Sequence, residues 1–372
     1  MLAGIGETPL LRKPPKDLTT AQVLAAAAKD ALEDAGIGPA RVDGLGVSSF
    51  SLTPDRAIDL AVRLGLRCSW LMDAGTGGAS AIDMLQHARR AVEAGDAHTV
   101  LLVAGDCFQP GSFSQLVDEY NVATRDHLAT LPTGGPNAIF AMLTRQHMRR
   151  HKLTRASYGR IAVAQRAWAH GNPNAAYRTP LTLTEYLRAP IVSDPLGRYD
   201  CVPVVAGAAA VVVSSRSEGR GVRTRALIAR HGATREDSDG LRTGLADIAH
   251  SLWDQAGLTP GEVDVISVYD DYPVMVLVQL ADLGFAPDGN LESLVERIAE
   301  HELAVNTGGG QLSAGQAGAG GGMLGLVEVV RQLSGGGGTR QVEGARSGLV
   351  TGYGMVTYRF GSSANAVVLE RA

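Results

Sequence analysis

Residues Ala35-Gly36-Ile37-Gly38-Pro39-Ala40-Arg41-Val42-Asp43 return later in the chain as Ala256-Gly257-Leu258-Thr259-Pro260-Gly261-Glu262-Val263-Asp264. Each copy follows an amphipathic helical stretch, from about Thr20 to Asp34 and from about Leu245 to Gln255. Each then leads into an apolar strand, Gly44–Ser48 in the first and Val265–Val268 in the second. The glycine after each last turn suits a C-cap, and Thr20 and Asp247 suit capping near the starts. A second pair keeps the same order. Gly75-Thr76-Gly77-Gly78 opens an apolar helix through Val92, followed by a strand at Thr99–Ala104. Gly315-Gln316-Ala317-Gly318-Ala319-Gly320 opens a helix through Leu333, followed by a strand at Ser347–Thr351. Two matches in one order indicate a duplicated α/β layer fold.

The length of 372 residues fits two or three domains, or a fused pair of similar halves. With 45% apolar and 19% charged residues, the chain builds a core and is not disordered by charge. A net charge of −4 argues against nucleic-acid binding, since the one short basic run, Arg149-Arg150-His151-Lys152, reads as a solvated helix face. No window is apolar enough to span a membrane. Cys68, Cys107 and Cys201 are too scattered for a disulfide framework or zinc site. The N-terminus lacks a signal-peptide pattern, so a cytoplasmic protein is expected. Gly is abundant, 46 residues, which points to backbone-built turns.

Between the halves, residues 109–200 form a different stretch. It holds Tyr120, His127, a Gly134-Gly135-Pro136 turn, helices around Asn137–His151 and Ala156–Ala169, and an irregular loop, Asn172–Pro180. Such an insert on a rigid scaffold is a natural substrate-binding element. The expected organisation is a first half over 1–108, the insert over 109–200, a strand completing the first half over 201–218, and a second half over 219–372. The histidines match no catalytic motif; His127, lying in the insert, is the one exception considered. Gly335–Gly338 reads as a surface loop.

The chain resembles the thiolase superfamily, in particular sterol-carrier-type thiolases and bacterial thiolase-like lipid-transfer proteins, some of them steroid side-chain aldolases. The resemblance spans nearly the whole chain. It rests on Gly4-Ile5-Gly6-Glu7-Thr8-Pro9, Asn172-Pro173-Asn174-Ala175, Pro190-Ile191-Val192-Ser193-Asp194-Pro195-Leu196, Asp200-Cys201-Val202-Pro203, Asn306-Thr307-Gly308-Gly309 and Gln341-Val342-Glu343-Gly344-Ala345. It implies the thiolase fold: two βαβαβαββ-type halves in five layers with an inserted loop domain. It also implies a homodimer through the first half's sheet edge, and a small OB-fold, zinc-ribbon partner protein.

The family's catalytic positions are altered. Its Cys-Ala-Thr-Gly-Ser falls on Gly75-Thr76-Gly77-Gly78-Ala79, so Gly75 stands in the nucleophile's place. Thr76 and Ser80 read as a cap and a packing residue, with no base evident beside them. The family's Gly-His-Pro reads Gly315-Gln316-Ala317, and a glutamine amide donates a hydrogen bond but takes no proton. The late catalytic Cys falls near Gly352-Tyr353-Gly354. Claisen chemistry through a covalent acyl-enzyme is therefore not expected.

What remains is Tyr269-Asp270-Asp271-Tyr272, whose Tyr-Asp matches the steroid-aldolase relatives. The resemblance then implies retro-aldol cleavage of a β-hydroxyacyl-CoA, with Tyr269, Gln316, Tyr353 and Asp270 as catalytic candidates. Gly75, Thr76, Gly77, Asn306, Gly308 and Gly309 are the candidate oxyanion and substrate-binding residues. Asp270 and Asp271 also fit a turn or helix N-cap before Pro273. No tightly bound cofactor is expected, the CoA thioester being substrate. Two alternatives stand beside the lyase: a non-catalytic acyl-CoA-binding or scaffold subunit, and an acyltransferase using Cys107 or a hydroxyl.

Overall fold

The computed structural model describes residues 1–109, 135–215, 220–232, 241–357 and 360–372. Tyr120, His127 and Gly134 lie outside them. The first half runs β1 (Leu2–Glu7), α1 (Thr20–Ala35), β2 (Gly44–Ser48), α2 (Arg56–Leu64), β3 (Trp70–Asp73), α3 (Ser80–Ala94) and β4 (Thr99–Asp106). The insert contributes α4 (Pro136–His151), α5 (Arg155–His170), α6 (Leu183–Arg188) and a small hairpin, β5 (Ile191–Ser193) with β6 (Leu196–Gly197). Then come β7 (Gly207–Ser214), β8 (Val222–His231), α7 (Leu245–Ala256), β9 (Val265–Ser267), α8 (Pro273–Asp282) and α9 (Leu291–Ala299). The chain finishes with α10 (Gly310–Ala314), α11 (Gly321–Leu333), β10 (Ser347–Thr357) and β11 (Phe360–Arg371).

The repeated nonapeptide does the same work twice. Gly36 (φ 65°) and Gly257 (φ 58°) end α1 and α7 in the left-handed conformation, where a Cβ is disfavoured. A short 3₁₀ turn follows each, and the chain enters β2 or β9. The helix starts differ from expectation. Thr19, one residue before Thr20, accepts the Gln22 N–H, while the Gln22 side chain takes the Thr19 N–H, a capping box. Gly244 occupies the corresponding place before α7 with no side-chain cap, and Asp247 sits within the first turn.

The strands form one nine-stranded sheet in the order β3-β2-β4-β7-β1-β8-β11-β10-β9. Its two parts repeat each other. In the first, β1 is antiparallel to β7, β7 to β4, and β4, β2 and β3 are parallel. In the second, β8 is antiparallel to β11, β11 to β10, and β10 is parallel to β9. A parallel bridge between Ile266 and Val305 stands where β3 stands in the first half. The halves join where Leu2 pairs with Val222. The β10–β11 pair closes directly, whereas its counterpart, β4–β7, is interrupted by the insert.

Apolar side chains pack in three slabs, which makes the layers. Leu24, Ala28 and Ala31 of α1 meet Leu101, Val103 and Val212 on the outer side of the first half. Met84, Leu85, Leu326 and Val330 of α3 and α11 fill the middle layer. Leu245, Leu252, Met275 and Leu294 cover the outer side of the second half. The sequence therefore reads as helix, sheet, central helices, sheet, helix, and the start of each central helix comes to lie beside the strand ends of the other half.

The insert is tied across this junction. Asn172 donates to the Gly308 carbonyl at 2.9 Å, and the Ala176 and Tyr177 amides donate to Ala314 and Ser313 at 3.0 and 2.9 Å. Arg166, buried in α5, donates to Ser313 Oγ at 2.9 Å.

Candidate active site

The strand β9 ends at Ser267, and the next residues carry the site. Tyr269 is buried, with 8% of its surface exposed. Its N–H donates to Thr351 Oγ1 at 3.1 Å, and its carbonyl accepts from Gln279 Nε2 at 2.7 Å. Thr351 in turn donates to Gln279 Oε1 at 2.8 Å, closing a ring of bonds that fixes the tyrosine backbone. The Tyr269 hydroxyl receives Gln316 Nε2 at 3.1 Å. Gln316 is itself pinned through its backbone, donating to Pro203 O at 2.8 Å and accepting from Val205 N at 3.1 Å.

The phenol ring lies against two glycines. A Cβ on Gly78 would stand 2.2 Å from ring carbons of Tyr269, and one on Gly321 would stand 3.3 Å from Cε2. The openings of both central helices thus meet on this ring, one from each half. Tyr269 and Gln316 are brought together as a pair.

Asp270 is buried, and its two oxygens accept the Gln311 and Leu312 N–H groups at 2.8 and 3.3 Å. It caps α10, not the helix that begins at Pro273. Burial pushes its carboxyl up to about 7 against the pull of those backbone donors. Burial, and then the neighbouring Asp270 charge, push Asp271 up to about 8. Tyr353 turns its phenol toward a backbone hydrogen bond with Gly361, and burial, then Asp271, raise it far above the ordinary tyrosine value. The glycines on either side of it, Gly352 and Gly354, face the first half's turn. In a strand the intervening side chain points to the opposite face. Tyr353 accordingly packs with Leu349 and Ala364 of the outer slab.

In the first half, Gly75 is exposed, and a Cβ there would meet nothing within 4 Å. Gly77 takes φ 58°, making the turn into α3. Thr76 stands at the N-cap position of the short 3₁₀ turn before α3 but makes no side-chain cap, its hydroxyl donating instead to Asp83 Oδ2 at 2.5 Å, one turn into α3. Asp83 is buried, and its other oxygen accepts from Asn365 Nδ2 at 2.7 Å, with His231 Nε2 3.5 Å away. The sequence reading overlooked this acid because a single Asp in a helix carries no motif.

On the second half's loop, Asn306 has φ 53° and accepts the Val268 N–H on Oδ1 at 2.8 Å, while its buried Nδ2 has no protein partner. Gly309 (φ 98°) spends its N–H on the Asn306 carbonyl at 2.7 Å, and the Gly308 carbonyl serves Asn172. Below the loop, buried Glu328 accepts from Thr307 at 2.9 Å, from Arg331 at 2.7 Å and from Arg340 at 2.9 Å. Burial opposes that charge, but Arg340 and Arg331 hold the carboxyl below its ordinary value.

The thiols take no comparable position. Cys107 donates to the Leu18 carbonyl at 3.3 Å and packs in the slab under α1. Burial raises all three thiols, Cys201 to about 12, so none is a ready thiolate at neutral pH. The described residues include no group of ligating side chains fit for a metal and no helix long and apolar enough to cross a membrane. Of the histidines, His147 bonds Tyr158 at 2.9 Å in the core, where burial and then His151 press it down to about 3.

Two halves of matching topology, with glycine-opened central helices meeting between them, define a thiolase-fold protein. Residues 226–371 match the thiolase C-terminal domain-like family. The chain is 32% identical to the 17-hydroxy-3-oxo-4-pregnene-20-carboxyl-CoA lyase of Mycobacterium tuberculosis, over 90% of this chain and 91% of that one. It is 30% identical to the steroid side-chain-cleaving aldolase of Thermomonospora curvata, over 90% of each. A solved Ltp2-ChsH2(DUF35) aldolase superposes with a TM-score of 0.84 at 26% identity, covering 100% of this chain and 97% of that one. Human mitochondrial 3-ketoacyl-CoA thiolase shares the fold at a TM-score of 0.74 and 17% identity, covering 100% and 98%. The chain belongs to the thiolase superfamily, among its steroid side-chain lyase and aldolase relatives.

Proposed function

We propose that the protein is a carbon–carbon lyase that cleaves a β-hydroxyacyl-CoA by retro-aldol chemistry, with a steroid side chain as the substrate class. The observation that carries this reading is the part-buried Tyr269–Gln316 hydrogen bond at the meeting of the two halves. Tyr269 takes the β-hydroxyl proton. The Cα–Cβ bond then breaks, its electron pair passes into the thioester enolate, and the enolate carbon takes a proton. The products are a ketone and a shortened acyl-CoA, with no net proton gained or lost. A phenol of ordinary pKa near ~10 is a weak base at neutral pH. A donor aimed at its oxygen favours the charged form, and Gln316 Nε2 is that donor.

The enolate oxygen requires donors where charge develops. The candidates are the turn Gly75-Thr76-Gly77, which leads to Gly78 on the Tyr269 ring, and the loop Asn306-Thr307-Gly308-Gly309, in which the unpartnered Asn306 Nδ2 is the strongest. Gly309 is a weaker one, because its N–H already serves Asn306. Tyr353 is not used in the scheme, because its phenol faces the outer slab and hydrogen-bonds the Gly361 backbone. No tightly bound cofactor enters the scheme.

The acyltransferase alternative is disfavoured by the raised thiols and by the bond that ties Thr76 to Asp83. A non-catalytic acyl-CoA-binding or scaffold role is the second reading, favoured by the open space at Gly75. The proposal includes a cytoplasmic homodimer. Its support is β3, an edge strand carrying exposed Leu71 beside exposed Ile58 and Val62 of α2. It also includes a small OB-fold, zinc-ribbon partner, by analogy with the Ltp2-ChsH2(DUF35) aldolase. The test is to purify the chain with and without an OB-fold partner and supply steroid β-hydroxyacyl-CoA. Ketone and shortened acyl-CoA, detected by mass spectrometry, support the lyase. Tight thioester binding with no product favours the scaffold.

A further inference from the structure

A chamber of about 40 Å³ borders Tyr269, between the Asn306–Ala314 segment and the start of α11. Asp270, Asn306 and Gln311 line its near end, and Glu7, Glu328 and Arg331 its far end. The far end is satisfied from within, because Arg331 donates to Glu328 at 2.7 Å and to Glu7 at 2.8 Å. The near end is not. Asn306 and Gln311 are 2% and 3% exposed, yet Asn306 Nδ2 and Gln311 Oε1 have no protein partner.

Two glycines let the polar side chains around the chamber crowd together. A Cβ on Gly321 would lie 2.1 Å from Gln311 Oε1 and 3.3 Å from the Tyr269 ring. A Cβ on Gly310 would lie 2.1 Å from Asp270 Oδ2 and 3.0 Å from Asn306 Nδ2. Gly310 (φ 58°) also needs its glycine for backbone reasons, but Gly321 is an ordinary helical position, so its lack of a Cβ answers to the approach of Gln311 and Tyr269 alone. Buried amide groups without partners are unfavourable, and in polar cavities water fills the role. At roughly 10–15 Å³ of such space per water, the chamber takes about three.

We propose that the chamber holds a cluster of about three ordered waters bridging Asn306 Nδ2, Gln311 Oε1 and the Asp270 carboxylate, and that this cluster conducts protons between Tyr269 and Asp270. The second half rests on the retro-aldol reading. The Tyr269 proton first passes through the waters to Asp270, leaving the phenolate that Gln316 Nε2 stabilises and that then takes the substrate hydroxyl proton. After the Cα–Cβ bond breaks, that proton returns by the same route and is delivered through Tyr269 to the enolate carbon. The Asp270 carboxyl, raised to about 7, is able both to accept and to release it near neutrality.

The experiment uses the full chain and its Gln311→Met and Gln311→Glu variants, with thermal melts to establish that each folds. High-resolution crystal structures read the waters directly, without substrate. Ordered density between Asn306, Gln311 and Asp270, lost in Gln311→Met and kept in Gln311→Glu, is expected. A dry chamber in the wild type overturns the proposal whatever the enzyme's reaction. Solvent deuterium uptake at the α-carbon of acetyl-CoA, followed by mass spectrometry, reads the conduit. At least a tenfold loss in Gln311→Met at unchanged KM, restored in part by Gln311→Glu, is expected. Equal uptake in all three proteins overturns the conduit. No uptake in a wild type that shows the waters overturns the conduit and counts against the retro-aldol reading, while leaving the water site in place.

Discussion

The openings of the two central helices are counterparts in the duplicated fold, yet they are furnished differently. In the first half the turn is bare at Gly75, and the next side chain, Thr76, is bound to Asp83. In the second half the turn presents Gln316 to the hydroxyl of Tyr269. The central helices differ as well. The buried acid of α3, Asp83, is bonded by Thr76 and Asn365 with one half-exposed histidine, His231, nearby, whereas that of α11, Glu328, is held by two arginines. One half has kept the shape of a site, and the other has kept polar groups aimed into it. The contrast teaches that a duplicated fold can divide its labour: the first half packs against the phenol, and the second half supplies the polar groups around it.

The largest effect expected from this contrast is on stability at the acid of α11. Glu328→Leu leaves Arg331 and Arg340 short of a buried counter-charge, and losing one member of such a group costs about 3–5 kcal/mol. Urea denaturation should register the loss, and a change below 1 kcal/mol would remove the proposed asymmetry between the helices. Next comes Gly78→Ala, which drives a methyl into the Tyr269 ring. Overpacking of this kind costs about 1–3 kcal/mol, and turnover should fall with it. Asp83→Asn keeps the volume but weakens the Thr76 bond. A loss of about 1 kcal/mol is expected, with turnover changed by less than threefold. A collapse of turnover would instead return the first half's turn to the chemistry. Gly75→Ala meets nothing and should stay within about 0.5 kcal/mol of wild type.

Asp271 sharpens the comparison by pH. Its folded-state pKa, about 8, lies above the ordinary aspartate value, so the folded protein binds more protons than the unfolded chain. The stability associated with the protonated carboxyl is fully present below about pH 4. It is lost progressively as pH rises toward 8. Asp271→Asn should therefore raise Tm at pH 8 and leave the difference small at pH 4. An equal shift at both pH values would mean that ionisation is not the cause.

Much of the fold was legible because the sequence repeats itself. The two nonapeptides located a helix end, a turn and a strand entry in each half, and the glycine-rich turns located both central helices. The cap of α1 was misplaced by one residue because Thr19 and Thr20 are both suitable, and only the Gln22 side chain selects between them. Partnerships were not legible. Asp83 meets Thr76 only because the glycine turn and the first turn of α3 fold the intervening chain back on itself, and Asp270 caps α10 from far along the chain. Tyr353 sits next to a family catalytic position in sequence, but strand alternation turns its side chain into the outer slab. The crowding beside Tyr269 depends on which glycines face one another, and spacing alone does not carry that.

The most direct measurement is the single-turnover cleavage of a steroid β-hydroxyacyl-CoA by the wild type and by Tyr269→Phe, with the partner protein present. The phenol hydroxyl is the proposed base, and removal of such a group slows the chemical step by about 10²–10⁴-fold. Thioester binding should stay within a factor of about three. A Tyr269→Phe protein that cleaves at the wild-type rate would contradict the account.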